Sequence, residues 1–171
     1  LPIFLIVYGI TPRKYRNLTL LVGSIVFYAM GDVRYLPLLM ISILCNYFLG
    51  LHLAKRSPKT LWRKKLLLIL TLGANLAVLL WFKDWGGSAG LPLGISFYTF
   101  QILSYQIDVY RGEVSREYSF LKFATYVTMF PKLISGPITR YGDISDSLTQ
   151  RTFTVRGLEG GMKLFILGLA A

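Results

Sequence analysis

Apolar residues along the chain come in long blocks separated by short polar joints, not in the alternation of a half-buried strand. The blocks fall at 1–10, 18–30, 35–54, 66–82 and 91–110, with further apolar stretches at 120–138 and 158–171. A helix over 35–54, rising about 1.5 Å per residue, covers about 30 Å, the thickness of a bilayer's hydrocarbon core. The run at 18–30 is shorter and reaches across only if Arg16 and Arg34 extend their charged heads to the interfaces. The joints are TPRKYRN at 11–17, the turn at 31–34, KRSPKTLWRKK at 55–65 and the glycine-rich KDWGGSAG at 83–90. The stretch 140–157 has no long apolar run and reads as an aqueous or interfacial loop. This pattern predicts an all-α fold: a polytopic transmembrane helix bundle forming a single membrane domain over 1–171.

Two blocks break the rules for a lipid-facing helix. The first, 91–110, carries Pro92, Gly94, Gln101, Gln106 and Asp108; the second, 120–138, carries Lys122, Pro131, Lys132, Gly136 and Pro137. Hydrocarbon offers no replacement for lost hydrogen bonds, so such segments persist only where protein or a water-filled cavity surrounds them. Kinked or re-entrant segments are therefore expected within the bundle, walled in by the plainer spans.

Composition sharpens this picture. The chain of 171 residues is 54% hydrophobic and 16% charged, with a mean hydropathy of +0.53; a soluble domain carries about 25% charged residues. A net charge of +11 would suggest nucleic acid in a soluble protein. Here the cations cluster in joints beside spans, as bilayer topology demands, and no nucleic-acid partner is expected. Arg13, Lys14 and Arg16 share a side with Lys55, Arg56, Lys59, Arg63, Lys64 and Lys65, against Arg34 and Lys83 opposite. The positive-inside bias puts loops 11–17 and 55–65 in the cytoplasm of a multi-pass protein. Trp81, Trp85, Tyr28 and Tyr35 then fall at the outer interface and Trp62 at the inner one. Leu1 begins inside an apolar run and Phe165–Ala171 ends inside another, so the chain reads as a piece of a longer protein. The opening run is followed, not preceded, by cations and does not read as a signal peptide. Cys45 is the single cysteine, which excludes an internal disulfide.

Candidate chemistry concentrates in the two anomalous blocks. At 100° per residue, Gly94, Tyr98, Gln101, Ser104, Tyr105 and Asp108 share one face of a helix, with Thr99 and Gln106 on the other. A helix polar on both sides belongs in the bundle interior. Asp108 either pairs with Arg111 or Arg116 as a structural anchor or contacts a substrate. If 120 starts at the inner surface, Lys132 lies roughly 18 Å deep, where an unpaired ammonium is expensive. Pro131 and Gly136–Pro137 interrupt the helix. Lys132 then either faces a cavity admitting an anionic or thioester-linked donor, or turns back to the surface. The candidate substrate- or tunnel-lining set is Gln101, Tyr105, Asp108, Lys132 and Arg140. His52, the only histidine, reads as a headgroup or packing residue. Neither a soluble-enzyme motif nor Cys/His metal spacing occurs, so no metal and no bound cofactor is expected.

Several of these stretches resemble the membrane-bound O-acyltransferase (MBOAT) family, in the branch of bacterial alginate O-acetylases and D-alanyl transfer proteins. They are LPLGISFYTFQ (91–101), IDVYRG (107–112) and YVTMFPKLISGPITRY (126–141), preceded by PRKYRN (12–17), FYAMGDVRYLPLL (27–39) and SILCNYFLG (42–50). The resemblance covers nearly the whole chain and implies its N-terminal portion of the fold. It implies a bundle with a central tunnel in the bacterial cytoplasmic (inner) membrane. Acyl groups, acetyl above all, would pass from an acyl-CoA or acyl-carrier thioester to a hydroxyl of an exported polysaccharide such as alginate. The implied partners are the lipid bilayer, the donor or its carrier protein, the polysaccharide or downstream extracytoplasmic acetylation proteins. The family's catalytic His belongs to a later helix and matches no residue here, so it is expected beyond Ala171. No catalytic residue is therefore assigned, and the piece alone is expected to be inactive. From the residues themselves, a transporter or export subunit and a non-catalytic membrane scaffold stay open as alternatives.

Overall fold

In a computed structural model of the chain, the described residues are 2–53, 61–84, 91–129 and 139–149, with positions 157, 160, 161 and 163. These are helical throughout their ordered elements, and no strand occurs among them. The helices are α1 (Pro2–Ile10), α2 (Arg16–Asp32), α3 (Leu36–Leu53), α4 (Leu61–Asp84), α5 (Ile95–Arg111), α6 (Phe120–Thr128) and α7 (Tyr141–Thr149). Short 3-10 turns at Arg13–Tyr15 and Val33–Tyr35 lead into α2 and α3.

Two helices, Val33–Leu53 and Trp62–Asp84, are long and apolar enough to cross a membrane, and Arg16–Gly31 forms a shorter apolar helix. The chain is an all-α membrane helical protein. Its surface is inverted relative to a soluble domain. Val22, Val26 and Met30 on α2, Ile41, Leu44 and Phe48 on α3, and Leu66, Ile69, Leu70 and Leu80 on α4 point outward. Spacing of three or four residues on α2 and α3 makes each of those sets one stripe, and at 100° per residue the α4 set also shares one side of its helix. The interior combines an apolar core, with Leu39, Ile43, Ile102 and Phe123 fully buried, with the polar side chains of Ser24, Asn46, Thr71, Gln101, Gln106, Asp108 and Thr125. An aliphatic exterior around buried polar groups is what hydrocarbon solvent selects, since lipid accepts methyl groups and rejects unpaired donors.

The apolar pattern locates the helices to within a few residues, with instructive differences. α4 begins inside the basic joint 55–65, because Trp62, Arg63, Lys64 and Lys65 continue the helix; Lys and Arg are good helix formers with long stems. The stretch 91–94 is a turn before α5, closed by Ile95 N–H donating to Pro92 O at 3.2 Å. Gly94, at φ 66°, sits where that turn needs a left-handed residue. At the other end Gly112, at φ 78°, caps α5: its N–H reaches Val109 O at 3.2 Å and Glu113 N–H reaches Asp108 O at 3.0 Å. This pair of bonds is a Schellman cap, which explains the glycine closing IDVYRG.

Part of 140–157, expected to be a loop, is helical. Tyr141, Ile144 and Leu148 fall on one side of α7, with Tyr141 and Leu148 buried and Ile144 against the core, so a short amphipathic face pays for the helix. Tyr28, placed by the sequence at an aromatic belt, is fully buried. Tyr35 packs edge-on against Phe82, with ring centroids 5.6 Å apart. The segment 130–138, including the Pro131 and Gly136–Pro137 breaks, lies outside the described residues. So does most of 158–171, the expected start of a further helix, Ala171 included.

α5 occupies the centre, with α4 along one side and α3 and α6 against it; α6 in turn packs along α2. Thr125 Oγ1 donates to Asn17 O at 3.1 Å, and Asn17 Nδ2 donates to Leu148 O at 3.0 Å, tying α2, α6 and α7 together.

Candidate functional site

α5 is polar on two sides, and each side meets a different partner. Toward α3, Gln106 Nε2 donates to Asn46 O at 2.7 Å. Asn46 and Asn75 then exchange reciprocal amide bonds of 3.1 and 2.9 Å between α3 and α4. Each asparagine Nδ2 also donates one turn back along its own helix, to Ser42 O and Thr71 O, both at 2.8 Å. This side is a fully engaged interhelical clamp, apart from Gln106 Oε1, which is buried without a partner among the described residues.

The other side carries the candidate residues and faces α6 and α7. Gln101, 4% exposed, donates through Nε2 to Tyr126 O at 3.2 Å. One turn on, the Tyr105 ring lies 4.9 Å from Phe123 and 5.1 Å from Tyr141, and Tyr141 lies 5.0 Å from Tyr126. Tyr105 Oη accepts from Glu117 N–H at 3.0 Å. Glu117 anchors this cluster from the α5–α6 connection: Oε2 accepts from the Tyr141 hydroxyl, and Oε1 accepts from Ser119 N–H at 2.8 Å. Ser119 in turn caps α6, its Oγ accepting from Lys122 N–H at 3.4 Å. Tyr126 Oη donates to Thr139 O at 3.0 Å. Burial first, and then donation to Glu117, push the Tyr141 hydroxyl well above the ordinary tyrosine range, so it stays a donor at any physiological pH.

Asp108 is 4% exposed, and its Oδ2 has no hydrogen-bond partner among the described residues. The expected pairing with Arg111 or Arg116 does not form. Arg111 and Arg140 instead flank Glu113, at 3.6 and 3.8 Å. Arg116 donates to Leu51 O at 3.4 Å and stacks over Tyr118, 4.5 Å from the ring centroid. The reason is local: the Schellman cap turns the chain at Gly112 and carries Glu113 outward to the arginines, leaving Asp108 on the buried face. Arg140 thus sits at the same end of α5 as Asp108 but is exposed. Gln101 and Tyr105 are brought together around Tyr126 and Tyr141, and Lys132 lies outside the described residues. The catalytic His expected beyond Ala171 has no counterpart in the cluster, whose side chains include no histidine.

Sequence reading missed Glu117, Tyr126 and Tyr141 as parts of this cluster, and Asn46 and Asn75 as the opposite clamp. The two asparagines do carry a signal, being amides inside apolar runs. Glu117 carries none, because only the fold brings it to Tyr105 and Tyr141.

His52 is exposed on the last turn of α3, with Nδ1 2.8 Å from Phe48 O in its own helix. Cys45 is free and exposed. Among the described residues no three His, Cys, Asp or Glu side chains are grouped as a metal would require. What α5 presents to α6 and α7 is a set of amide, hydroxyl and carboxylate groups in a water-poor interior. Amide, hydroxyl and carboxylate groups are of the kinds that can orient a polar ligand, and a carboxylate can also exchange a proton.

No family model matches the chain, and no solved structure does. Curated relatives do. A protein of Pseudomonas putida named probable alginate O-acetylase is 38% identical over 98% of this chain and 39% of its own length. The protein of the same name from Pseudomonas aeruginosa is 38% identical over 98% of the chain and 36% of its length. A peptidoglycan O-acetyltransferase of Helicobacter pylori is 31% identical over 90% of the chain and 37% of its length. The chain therefore spans less than two fifths of each of these relatives.

Proposed function

Because the chain is 38% identical to proteins named probable alginate O-acetylase, we propose that it belongs with the membrane-bound O-acyltransferases and is part of an enzyme that acetylates hydroxyl groups of a polysaccharide at the cytoplasmic membrane. The donor in this reading is an acetyl thioester, on coenzyme A or on a carrier protein, and the acceptor an exported polysaccharide of the alginate kind. Loops 11–17 and 55–65 face the cytoplasm in a multi-pass arrangement. An acceptor hydroxyl oxygen attacks the thioester carbonyl carbon, the C–S bond breaks, and the proton leaving the hydroxyl ends on the released thiol. The reaction needs a base and protection from hydrolysis. The base in this reading is a His of the full-length protein beyond Ala171. The region described here contributes the protected wall: Gln101, Tyr105 and Asp108 on α5, with Arg140 at the mouth.

The observation that carries this reading is the identity with alginate O-acetylases across 98% of the chain, supported by the burial of polar α5 side chains inside an apolar exterior. The test is transfer of labelled acetyl from a thioester donor to polysaccharide in membranes carrying the full-length protein. Wild type should transfer label. Asp108→Asn, which keeps the shape and removes the charge, should insert at normal levels and transfer at least about tenfold less, equivalent to about 1.4 kcal/mol in the barrier. Wild-type membranes that transfer no label from either class of thioester would refute the enzyme reading. Full transfer by the variant would remove Asp108 from the wall.

A further inference from the structure

The first turn of α4 is a cationic edge that nothing among the described residues neutralises. Arg63 and Lys65 are exposed and Lys64 is partly buried. No carboxylate among the described residues lies within ion-pair distance of any of the three. Arg111 and Arg140, by contrast, share Glu113. The neighbouring sequence cannot help, since 54–62 contains Lys55, Arg56 and Lys59 and no acidic residue. No acidic residue occupies the first turn of α4 either, so three cations sit at the helix end where the peptide dipole is already positive. Like charges held together this way favour an anion from outside, most strongly at low salt.

The surroundings say which anion. Trp62, 78% exposed, precedes the cations, and the exposed Leu66, Ile69 and Leu70 follow them on the same helix. At the far end of the helix Trp81 is also exposed, roughly 28 Å from Trp62 at about 1.5 Å per residue. That separation matches the thickness of a bilayer's hydrocarbon core, and indole rings favour its two boundaries. Arg63, Lys64 and Lys65 therefore lie at headgroup level, on the rim of an aliphatic face. An acidic soluble protein would meet the charges but gain nothing from the indole or the leucines beneath it.

We propose that Trp62, Arg63, Lys64 and Lys65 form a binding site for anionic phospholipid headgroups, with the phosphates drawn to the three cations and the acyl chains lying along the outer face of α4. The edge is a lipid-selective anchor, separate from the buried face of α5.

The test uses the full-length protein in phosphatidylcholine nanodiscs with and without phosphatidylglycerol, with bound phosphatidylglycerol counted by native mass spectrometry after release. Wild type should retain phosphatidylglycerol, less so as salt is raised. Combined Arg63→Gln, Lys64→Gln and Lys65→Gln should weaken that retention by about a hundredfold at low salt. Lys64→Arg with Lys65→Arg, which preserves charge and topology, should retain it and so controls for misinsertion. Equal retention by the glutamine variant overturns the proposal. So does a wild type that ignores phosphatidylglycerol yet binds a soluble polyaspartate peptide through these residues, which would make the edge a protein-docking surface.

Discussion

Removing the Asn75 amide should cost the full-length protein far more than one surface hydrogen bond, because lipid and close-packed helices offer Asn46 no substitute. Two reciprocal bonds, of 3.1 and 2.9 Å, join Asn46 and Asn75. Asn46 is 3% exposed, and its backbone oxygen is already engaged by Gln106. Bonds between membrane helices average about 0.6 kcal/mol and reach about 1.7 kcal/mol. The two together should couple α3 to α4 by about 1–2 kcal/mol. Asn75→Ala alone also strands Asn46 Oδ1, adding about 1–3 kcal/mol of unpaired burial, so the single variant should lose about 2–5 kcal/mol. Asn46→Ala leaves Asn75 partly exposed and should cost somewhat less. The assay is a double-mutant cycle on reversible unfolding in mixed micelles, with Asn46→Ala, Asn75→Ala and the pair. The double variant, which strands neither amide, should be more stable than the sum of the singles by at least about 2 kcal/mol, the pair bonds plus the stranding penalties that only the singles carry. A coupling within about 0.3 kcal/mol of zero, the scatter of independent sites, would refute the clamp.

A β-carbon at Gly50 would stand 3.1 Å from Tyr105 Cε1 and 3.6 Å from Gln106 Oε1. The Tyr105 ring is held by Phe123, Tyr141 and Glu117, so it has little room to yield. Gly50→Val should therefore destabilise by about 1–3 kcal/mol, measured as the same micellar unfolding, and an unchanged midpoint would show that α3 and α5 are not so closely packed. Tyr141 has a folded pKa raised above the ordinary tyrosine value of about 10. Its stabilising effect is complete below that pH and drains away as pH rises through the folded value, because only the unfolded chain sheds the proton first. Tyr141→Phe should flatten the alkaline limb of the stability–pH curve while leaving its slope near neutrality unchanged; an alkaline limb identical to wild type would sink that assignment.

How much of this was legible in advance differs from element to element. The central position of α5 followed from having Gln101 and Asp108 on one face and Gln106 on the other, and both faces are buried. The partners did not follow. Asp108 was left open between pairing with Arg111 or Arg116 and contacting a substrate, the Arg111 pairing being the one that helical spacing suggests. The cap at Gly112 ended the helix and offered the arginines Glu113 instead. The stretch beginning at Tyr141 looked polar because Gly142, Asp143, Ser145, Asp146, Ser147 and Thr149 outnumber Tyr141, Ile144 and Leu148, yet the few apolar ones fall on one side and make a helix once α6 covers them.

By itself the sequence determined that the chain is helical, with an apolar exterior and some polar groups held inside, because hydrocarbon penalises an unpaired peptide group wherever the helix lies and blocks of apolar residues record that penalty directly. Only the tertiary structure decided which polar groups find each other: Gln101 with Tyr126, Glu117 with Tyr105 and Tyr141, Asn46 with Asn75. Hydrogen bonds act over about 3 Å, and residues dozens of positions apart come within that reach only when helix packing puts them there.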